Sequence, residues 1–392
     1  MKNEAKPARE ARPARHLLEK ATEKKRDLAR YQACHCVQMD VRSNSQRPEG
    51  FPFVQVLYHD AFKRWIVTEL PLTSGWTDSL PRLVRATRQG PVLHETALAP
   101  APHVLGLNLT RGCGHRCAFC SVRAAPNFPA DQLVLFTNTV ELLARELQVH
   151  TPQAVYLCPA ADPFPPYQAV QELAVQVIEC LAAHGVETWL MTRGEVPESL
   201  LKRLQPLAEL IRFTVALPTL QPSCAALLEA EAAPPAVRLE MIGRLRERGF
   251  AVQVAVDPLV PQWTDTPEML EPLLTALAAR GVQALRASYL FLRPNIIEHL
   301  KAALPGDLAS AILTAYDQGP VLTAKGLAAA RYLPRARRQR GYATLMALAS
   351  RHGMSVAVSS VTNPDFTPSK PTPPPTSSLL AAYRQAVKRS AV

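Results

Sequence analysis

Between residues 104 and 290 the chain repeats one pattern six times: a short apolar run, a turn, then a stretch whose apolar residues recur with a helical period. The apolar runs, residues 104–109, 154–158, 186–192, 211–217, 251–257 and 283–290, have the length of strands rather than helices. After the second run, Val170, Leu173, Ala174, Val177, Ile178 and Leu181 fall on one stripe of a helix, and Gly185 follows as its stop. Asn138 with Glu141 three residues on predicts a capping box, Thr266 before Pro267 a second helix start, and Pro272 a kink in that helix. Strands alternating with helices make a parallel sheet with right-handed crossovers, and a succession of such units predicts a curved or partly closed barrel. On sheets of this kind chemistry gathers beyond the carboxyl ends of the strands.

The pattern changes on either side. Residues 1–30 mix charged residues with Ala and are broken at Pro7 and Pro13, which predicts a mobile basic arm. Residues 31–103 form a flanking segment, in which the apolar and β-branched positions of residues 50–70 predict a hairpin or two short strands. Beyond a core of residues 104–295, residues 296–362 read as a helical extension. Residues 363–392 read as a linker and a last helix, because six of the twelve residues from 364 to 375 are proline.

With 392 residues, 47% of them apolar, the chain can bury a sizeable core. No run reaches the roughly 18 apolar residues that span a bilayer, and residues 1–30 lack the apolar stretch of a secretory signal. No membrane association and a cytoplasmic location are therefore expected. The net charge of +11 is concentrated at two places: residues 1–30 hold ten Lys or Arg against five acids, and residues 331–340 hold five Arg and no acid. The rest of the chain is close to neutral. Basic flanks can sit on nucleic acid phosphates, but neither stretch interleaves the aromatics that stack on bases. Solvated surface is the plainer expectation, and a nucleic acid partner bound through residues 331–340 the sharper one. Eight irregularly placed cysteines point to metal or redox chemistry rather than to a disulfide framework.

Three of these cysteines crowd into the stretch NLTRGCGHRCAFC, residues 108–120, directly after the first predicted strand. A structural zinc site needs four ligands, and Cys113, Cys117, Cys120 and His115 would supply them at a cramped spacing. An iron–sulfur cluster held by only three thiolates keeps one iron open for a substrate or cofactor. The pattern of Cys113, Cys117, Phe119 and Cys120 resembles the hallmark of the radical S-adenosylmethionine superfamily, Cys-x3-Cys-x-aromatic-Cys. The resemblance implies a partial (β/α)6 barrel with a 4Fe-4S cluster on Cys113, Cys117 and Cys120 and S-adenosylmethionine on the fourth iron. It further implies an electron donor such as flavodoxin or ferredoxin, and cleavage of the cofactor to methionine and a 5′-deoxyadenosyl radical that abstracts hydrogen from a substrate. In such systems the cofactor carries the difficult chemistry and the protein orients and encloses it.

Within that superfamily the chain is similar to the spore photoproduct lyase branch, through residues 108–120, ADPFPPYQ at 161–168, Thr192 with Arg193, PPAVRLEMIGRLRERGF at 234–250 and DPLVPQWTD at 257–265. The resemblance implies that Asp162 approaches the methionine end of the cofactor, that Phe119 packs by the adenine and that Thr192 lies near the ribose. Arg238 would bind the carboxylate or brace the barrel. Each has a plainer role beside this one: Asp162 before a proline suits a turn, Phe119 suits a core, and Arg238 suits a salt bridge. Cys158, close to the position of a hydrogen-donating cysteine in the lyase, is otherwise a small buried hydrophobe. The lyase has tyrosines around its third cluster cysteine where this chain has Phe119 and Ser121, which weakens DNA repair as the reaction. Gln262 and Trp263 stand where relatives commonly have Gly, so a reshaped loop is expected there.

Of the other cysteines, Cys180 falls on the apolar side of its helix. Cys224 at a predicted helix start has the setting of a reactive thiol, and Cys34 and Cys36 around His35 make half a metal site. The leading expectation is a radical S-adenosylmethionine enzyme acting on an unidentified substrate. A nucleic acid repair or modification enzyme, and a zinc-binding protein without catalysis, are the alternatives.

Overall fold

The structure, a computed structural model, describes residues 80–99, 101, 103–123, 131–324, 327–359 and 362–366, with residues 55–59 and 64–68 as strands. The basic arm, Cys34 and Cys36, and nearly all of the proline-rich linker with its last helix lie outside the described residues. The expected hairpin is present: residues 55–59 pair antiparallel with residues 64–68.

The strands and helices of the core alternate as the pattern requires. In chain order they are β1 (Val104–Leu107), α1 (Thr139–Val149), β2 (Ala154–Leu157), α2 (Gln168–Ala183), β3 (Glu187–Thr192), α3 (Glu198–Leu204), β4 (Ile211–Ala216), α4 (Pro222–Leu228), α5 (Pro235–Glu247), β5 (Ala251–Leu259), α6 (Pro267–Ala279) and β6 (Ala284–Tyr289). After β6 come α7 (Pro294–Ala303), α8 (Gly306–Thr314), α9 (Arg335–Arg351) and β7 (Ser355–Val358). The seven strands lie side by side in chain order, every neighbouring pair parallel. This is the partial barrel anticipated, with one strand more: β7, within the stretch read as a helical extension, pairs with β6. Its sequence SVAV is too short to declare itself without the neighbour that receives it.

One face of the sheet carries Val155, Leu157, Leu190, Phe213, Val215, Val254 and Leu285, all fully buried with the apolar stripes of the helices in one continuous core. The other, concave face is mixed. Low in it the Arg212 guanidinium donates to Glu187 at 2.8 Å and lies over the Trp189 ring, while Trp189 donates to the same carboxylate at 3.0 Å. Residues before β1 cover its open edge: His94 and Gly106 exchange backbone hydrogen bonds, and Leu98, Ala99 and Ala101 pack on Val104, Ala154 and Tyr156. The amino end of the barrel is thereby filled, and its carboxyl end is left for the site.

Local signals act as expected in some places and differently in others. Gly185 ends α2 in the left-handed conformation, at φ 69°. Helix α6 starts at Pro267 behind Thr266 and runs on through Pro272. Asn138 precedes α1, but its side chain makes no cap; it bonds sideways to the backbone N–H and C=O of Arg88, at 3.0 and 2.9 Å. It thus ties a second small sheet, residues 82–86, 132–136 and 110–111, to the barrel. No helix of the described residues is long and apolar enough to cross a membrane.

Candidate functional site

The loop after β1 is held at both of its ends. Thr110 and Arg111 leave the barrel to pair with residues 134–135, and the Thr110 hydroxyl donates to the Gly112 carbonyl at 3.1 Å. Residues 112–120 then turn over the carboxyl end of the sheet, with Gly112 and Arg116 in the left-handed region. The Ala118 N–H donates to the Leu228 carbonyl at 2.9 Å, so the loop is also fastened to the end of α4. Cys117 is buried, while Cys113 and Cys120 are partly open. Burial pushes the Cys117 thiol up to about 12 and raises Cys113 as well, with Asp162 and the neighbouring cysteines adding to the latter. Burial holds Cys113 and Cys117 protonated, a preference that a bound metal would reverse outright.

Asp162, in the loop after β2, is the buried centre of the site. Its Oδ1 accepts from the Phe164 N–H at 2.8 Å and the Thr192 hydroxyl at 2.7 Å, and its Oδ2 accepts from the Arg193 N–H at 2.7 Å. His115 Nε2 stands 3.0 Å from the same Oδ2, and His115 Nδ1 lies 3.0 Å from the Glu231 carbonyl. One carboxylate therefore joins the cysteine loop to the carboxyl ends of β2 and β3. Burial alone would raise its pKa, but the His115 charge and these donors hold it below the usual carboxylate range. His115 is raised in turn: burial opposes its charge and Asp162 more than compensates. Close packing requires Gly194 here, since a Cβ on it would stand 1.7 Å from the Phe164 carbonyl oxygen.

Behind this carboxylate lies a second buried charge cluster. Arg238 of α5 is fully buried and donates to the Ala216 carbonyl at 2.7 Å and to Glu229 at 2.6 Å. Arg193 stands 3.3 Å from the other Glu229 oxygen, donates to the Asp257 carbonyl at 3.1 Å and covers the Phe119 ring, 5.0 Å from its centroid. Phe119 itself is partly buried against the core. A cavity of about 570 Å³ opens beside this cluster, walled by His115, Phe164, Glu229, Ala233 and Arg238.

The residues picked from the sequence thus converge on one end of the barrel, though in unforeseen pairings. Asp162 and Thr192, expected to reach the cofactor, hydrogen-bond to each other. Both ring nitrogens of His115 face protein acceptors, Asp162 and the Glu231 carbonyl, so it is not placed as a fourth ligand in the zinc arrangement. Glu229 and the latch role of His115 were missed. A Glu amid the alanines of LLEAEAAPPAVR was a usable signal, since a charge flanked by apolar residues at a helix end implies a buried partner.

Cys158 closes β2 in the left-handed region, φ 58°, its N–H donating to the Leu107 carbonyl at 2.7 Å. Burial pushes its thiol up to about 12. Cys224 is buried as well and raised to about 12, so the reactivity expected of it at a helix start does not survive its desolvation. Cys180 packs against the core as anticipated. In the loop after β5, Gln262 stands at φ 63° and Trp263 is buried.

Comparison with known proteins agrees with this geometry. Residues 107–274 match the family model described as the Radical SAM superfamily. Uncharacterized proteins of Mycobacterium bovis and Mycobacterium tuberculosis are 29% identical over 288 residues, which cover 65% of this chain and 84% of theirs. An uncharacterized protein of Acidianus two-tailed virus is 24% identical over 220 residues, covering 50% of this chain and 71% of that protein. Among solved structures, a cysteine variant of spore photoproduct lyase matches with a TM-score of 0.56 at 13% identity, covering 71% of this chain and 81% of that one. A double variant of the same lyase, with bound AdoMet and dinucleoside spore photoproduct, matches equally well. At that identity the likeness is one of fold.

Proposed function

We propose that the chain is a radical SAM enzyme that binds a 4Fe-4S cluster on Cys113, Cys117 and Cys120 and S-adenosylmethionine on the iron they leave free. One observation carries the reading: three cysteines share one fastened loop at the carboxyl end of the barrel, and the only His in that loop is turned away into Asp162 and Glu231. Among the described residues no three metal-binding side chains converge on a single point. Bound at the cysteine loop, the cluster and S-adenosylmethionine supply reductive cleavage of a carbon–sulfur bond and, through it, hydrogen abstraction from a substrate, with the electron coming from a donor such as flavodoxin or ferredoxin.

The chain's own residues prepare this chemistry. Asp162 and His115 hold the cysteine loop at a fixed place over the strands, and Arg193 with Phe119 forms the wall beside it. Of the two roles open to Arg238, its complete burial and its pairing with Glu229 favour bracing over cofactor contact. Of the two roles open to Cys158, its burial at 3% exposure and its packing in the core favour the small buried hydrophobe over the hydrogen-atom donor.

The test is anaerobic reconstitution with iron and sulfide, followed by reduction in the presence of S-adenosylmethionine. The intact chain is expected to hold about four irons and four sulfides and to release 5′-deoxyadenosine. Cys117→Ala is expected to do neither. Zinc in place of iron and acid-labile sulfide would sink the reading.

A further inference from the structure

The concave face of the barrel carries three arginines, and they are not spent alike. Arg212 is taken up by Glu187 and Trp189 at the closed end. Arg193 is taken up by Glu229, the Asp257 carbonyl and the Phe119 ring. Arg286, in the middle of β6, has one hydrogen bond among the described residues, to the Ser359 hydroxyl at 3.2 Å. A guanidinium has five N–H donors in a rigid fork matched to carboxylate and phosphate. Most of this one's fork is unused.

The register leaves room beside it. Arg286 pairs with Ala255 of β5 and Ala357 of β7, and Ala255 pairs with Ala216 of β4, so its row on the concave face is otherwise made of methyl groups. Two residues beyond Ala255 stands Asp257, and from β2, with three strands between, Tyr156 shares the same face. The three groups sense one another. Burial raises both Tyr156 and Asp257, and the Arg286 charge pulls each of them back. Alternation along β2, β5 and β6 places Tyr156, Asp257 and Arg286 on this one concave face. Toward its amino end that face carries the Glu187, Trp189 and Arg212 group.

We propose that Arg286 is the anion-binding position of the substrate: it takes a carboxylate or phosphate through its free fork, while Tyr156 and Asp257 hydrogen-bond a neighbouring hydroxyl or amino group of the same molecule. The inference rests on the preceding reading in one respect, that the concave face is the reaction chamber. It narrows the substrate to a polar, anionic molecule and sets aside apolar ones, which would cover the Arg286 fork without offering it an acceptor. Arg286 is thus assigned to the substrate, and the wall beside Phe119 and Arg193 remains for the cofactor.

Calorimetric titration of the full chain with inorganic phosphate and, separately, with glycolate reads the position directly, in buffer of fixed ionic strength. The intact protein is expected to bind one of the two probes with a dissociation constant of about a millimolar, and which one it binds separates phosphate from carboxylate substrates. Arg286→Gln is expected to weaken that binding by at least about tenfold, and Arg286→Lys, which keeps the charge but loses the fork, by less. S-adenosylmethionine affinity should stay within about twofold in both variants, and equal melting temperatures show that the fold is kept. Binding of neither anion, or binding that Arg286→Gln leaves unchanged, overturns the assignment. So does a parallel loss of S-adenosylmethionine affinity, which would move Arg286 to the cofactor. Failure of the chain to take up iron bears on the preceding reading alone, because the anion titration can be run on the iron-free chain.

Discussion

A carboxylate has about four lone-pair directions, and Asp162 has a partner in each: Phe164, Thr192, Arg193 and His115. Nothing is left over for a ligand. Its part in the site is therefore positional, exerted through the His115 that sits between Cys113 and Cys117. Removing it strands the buried His115 ring and three buried donors together, the situation in which breaking a buried pair costs about 3 to 5 kcal/mol. Asp162→Ala is accordingly expected to lower stability in denaturant titrations by that amount and to reduce the iron retained per chain after reconstitution. A residue that merely touched the cofactor would behave otherwise, with unfolding and iron content unchanged and only S-adenosylmethionine affinity reduced. The sequence shows Asp162 in the right neighbourhood because it follows a strand and precedes a proline. Its partners come from residues 30 positions ahead and 47 behind, which no local pattern encodes.

At the scale of elements, the strands are legible because each brings an unbroken apolar set to the helix-covered face. The concave face emerges only with the structure, which turns Arg212, Thr214 and Arg286 of IRFTVA and ALRASY away from the helices at every second place. Helix α9 is a second such case. Its start looks like solvated charge, yet Arg338 is fully buried and spends its fork on Asp365 at 2.6 and 2.9 Å, on Asn363 at 2.9 Å and on the Leu333 carbonyl at 2.8 Å. The pair fastens the segment after β7 onto α9. Arg338→Ala should cost about 3 kcal/mol, read as a lowered unfolding midpoint. Its pH dependence follows from Asp365, which burial would raise but the Arg338 hydrogen bond holds below the usual range. The stabilisation is complete above the unfolded Asp value of about 3.9 and is lost as pH falls through the lower folded value. The stability gap between the intact chain and the variant should therefore be constant from about pH 5 to 8 and should shrink below about pH 4. A gap that widened in acid would contradict the pairing.

For the whole molecule, the burial of Arg338 also decides how much the basic stretch can offer a nucleic acid. Of its five arginines, Arg338 is inside and Arg337 is half-buried, near enough to Asp265 to oppose in part the rise that burial gives that carboxyl's pKa. Arg331, Arg335 and Arg340 are exposed, and Arg331 is already bonded to the Gly319 carbonyl at 3.0 Å. Each phosphate neutralised contributes about 0.9 to the dependence of log affinity on log salt. The stretch can thus account for a slope of no more than about three, well short of the six to ten contacts of strong binders. Retention on immobilised double-stranded DNA across a salt series should lose at most that much when Arg331, Arg335 and Arg340 are replaced together, and none when Arg338 is replaced. A larger drop would mean that the barrel mouth presents a basic surface which the paired and buried arginines do not account for. The charge that looks most exposed in the sequence is partly consumed in holding the barrel's last strand, and the seventh strand itself was invisible for the same reason: its partners are tertiary.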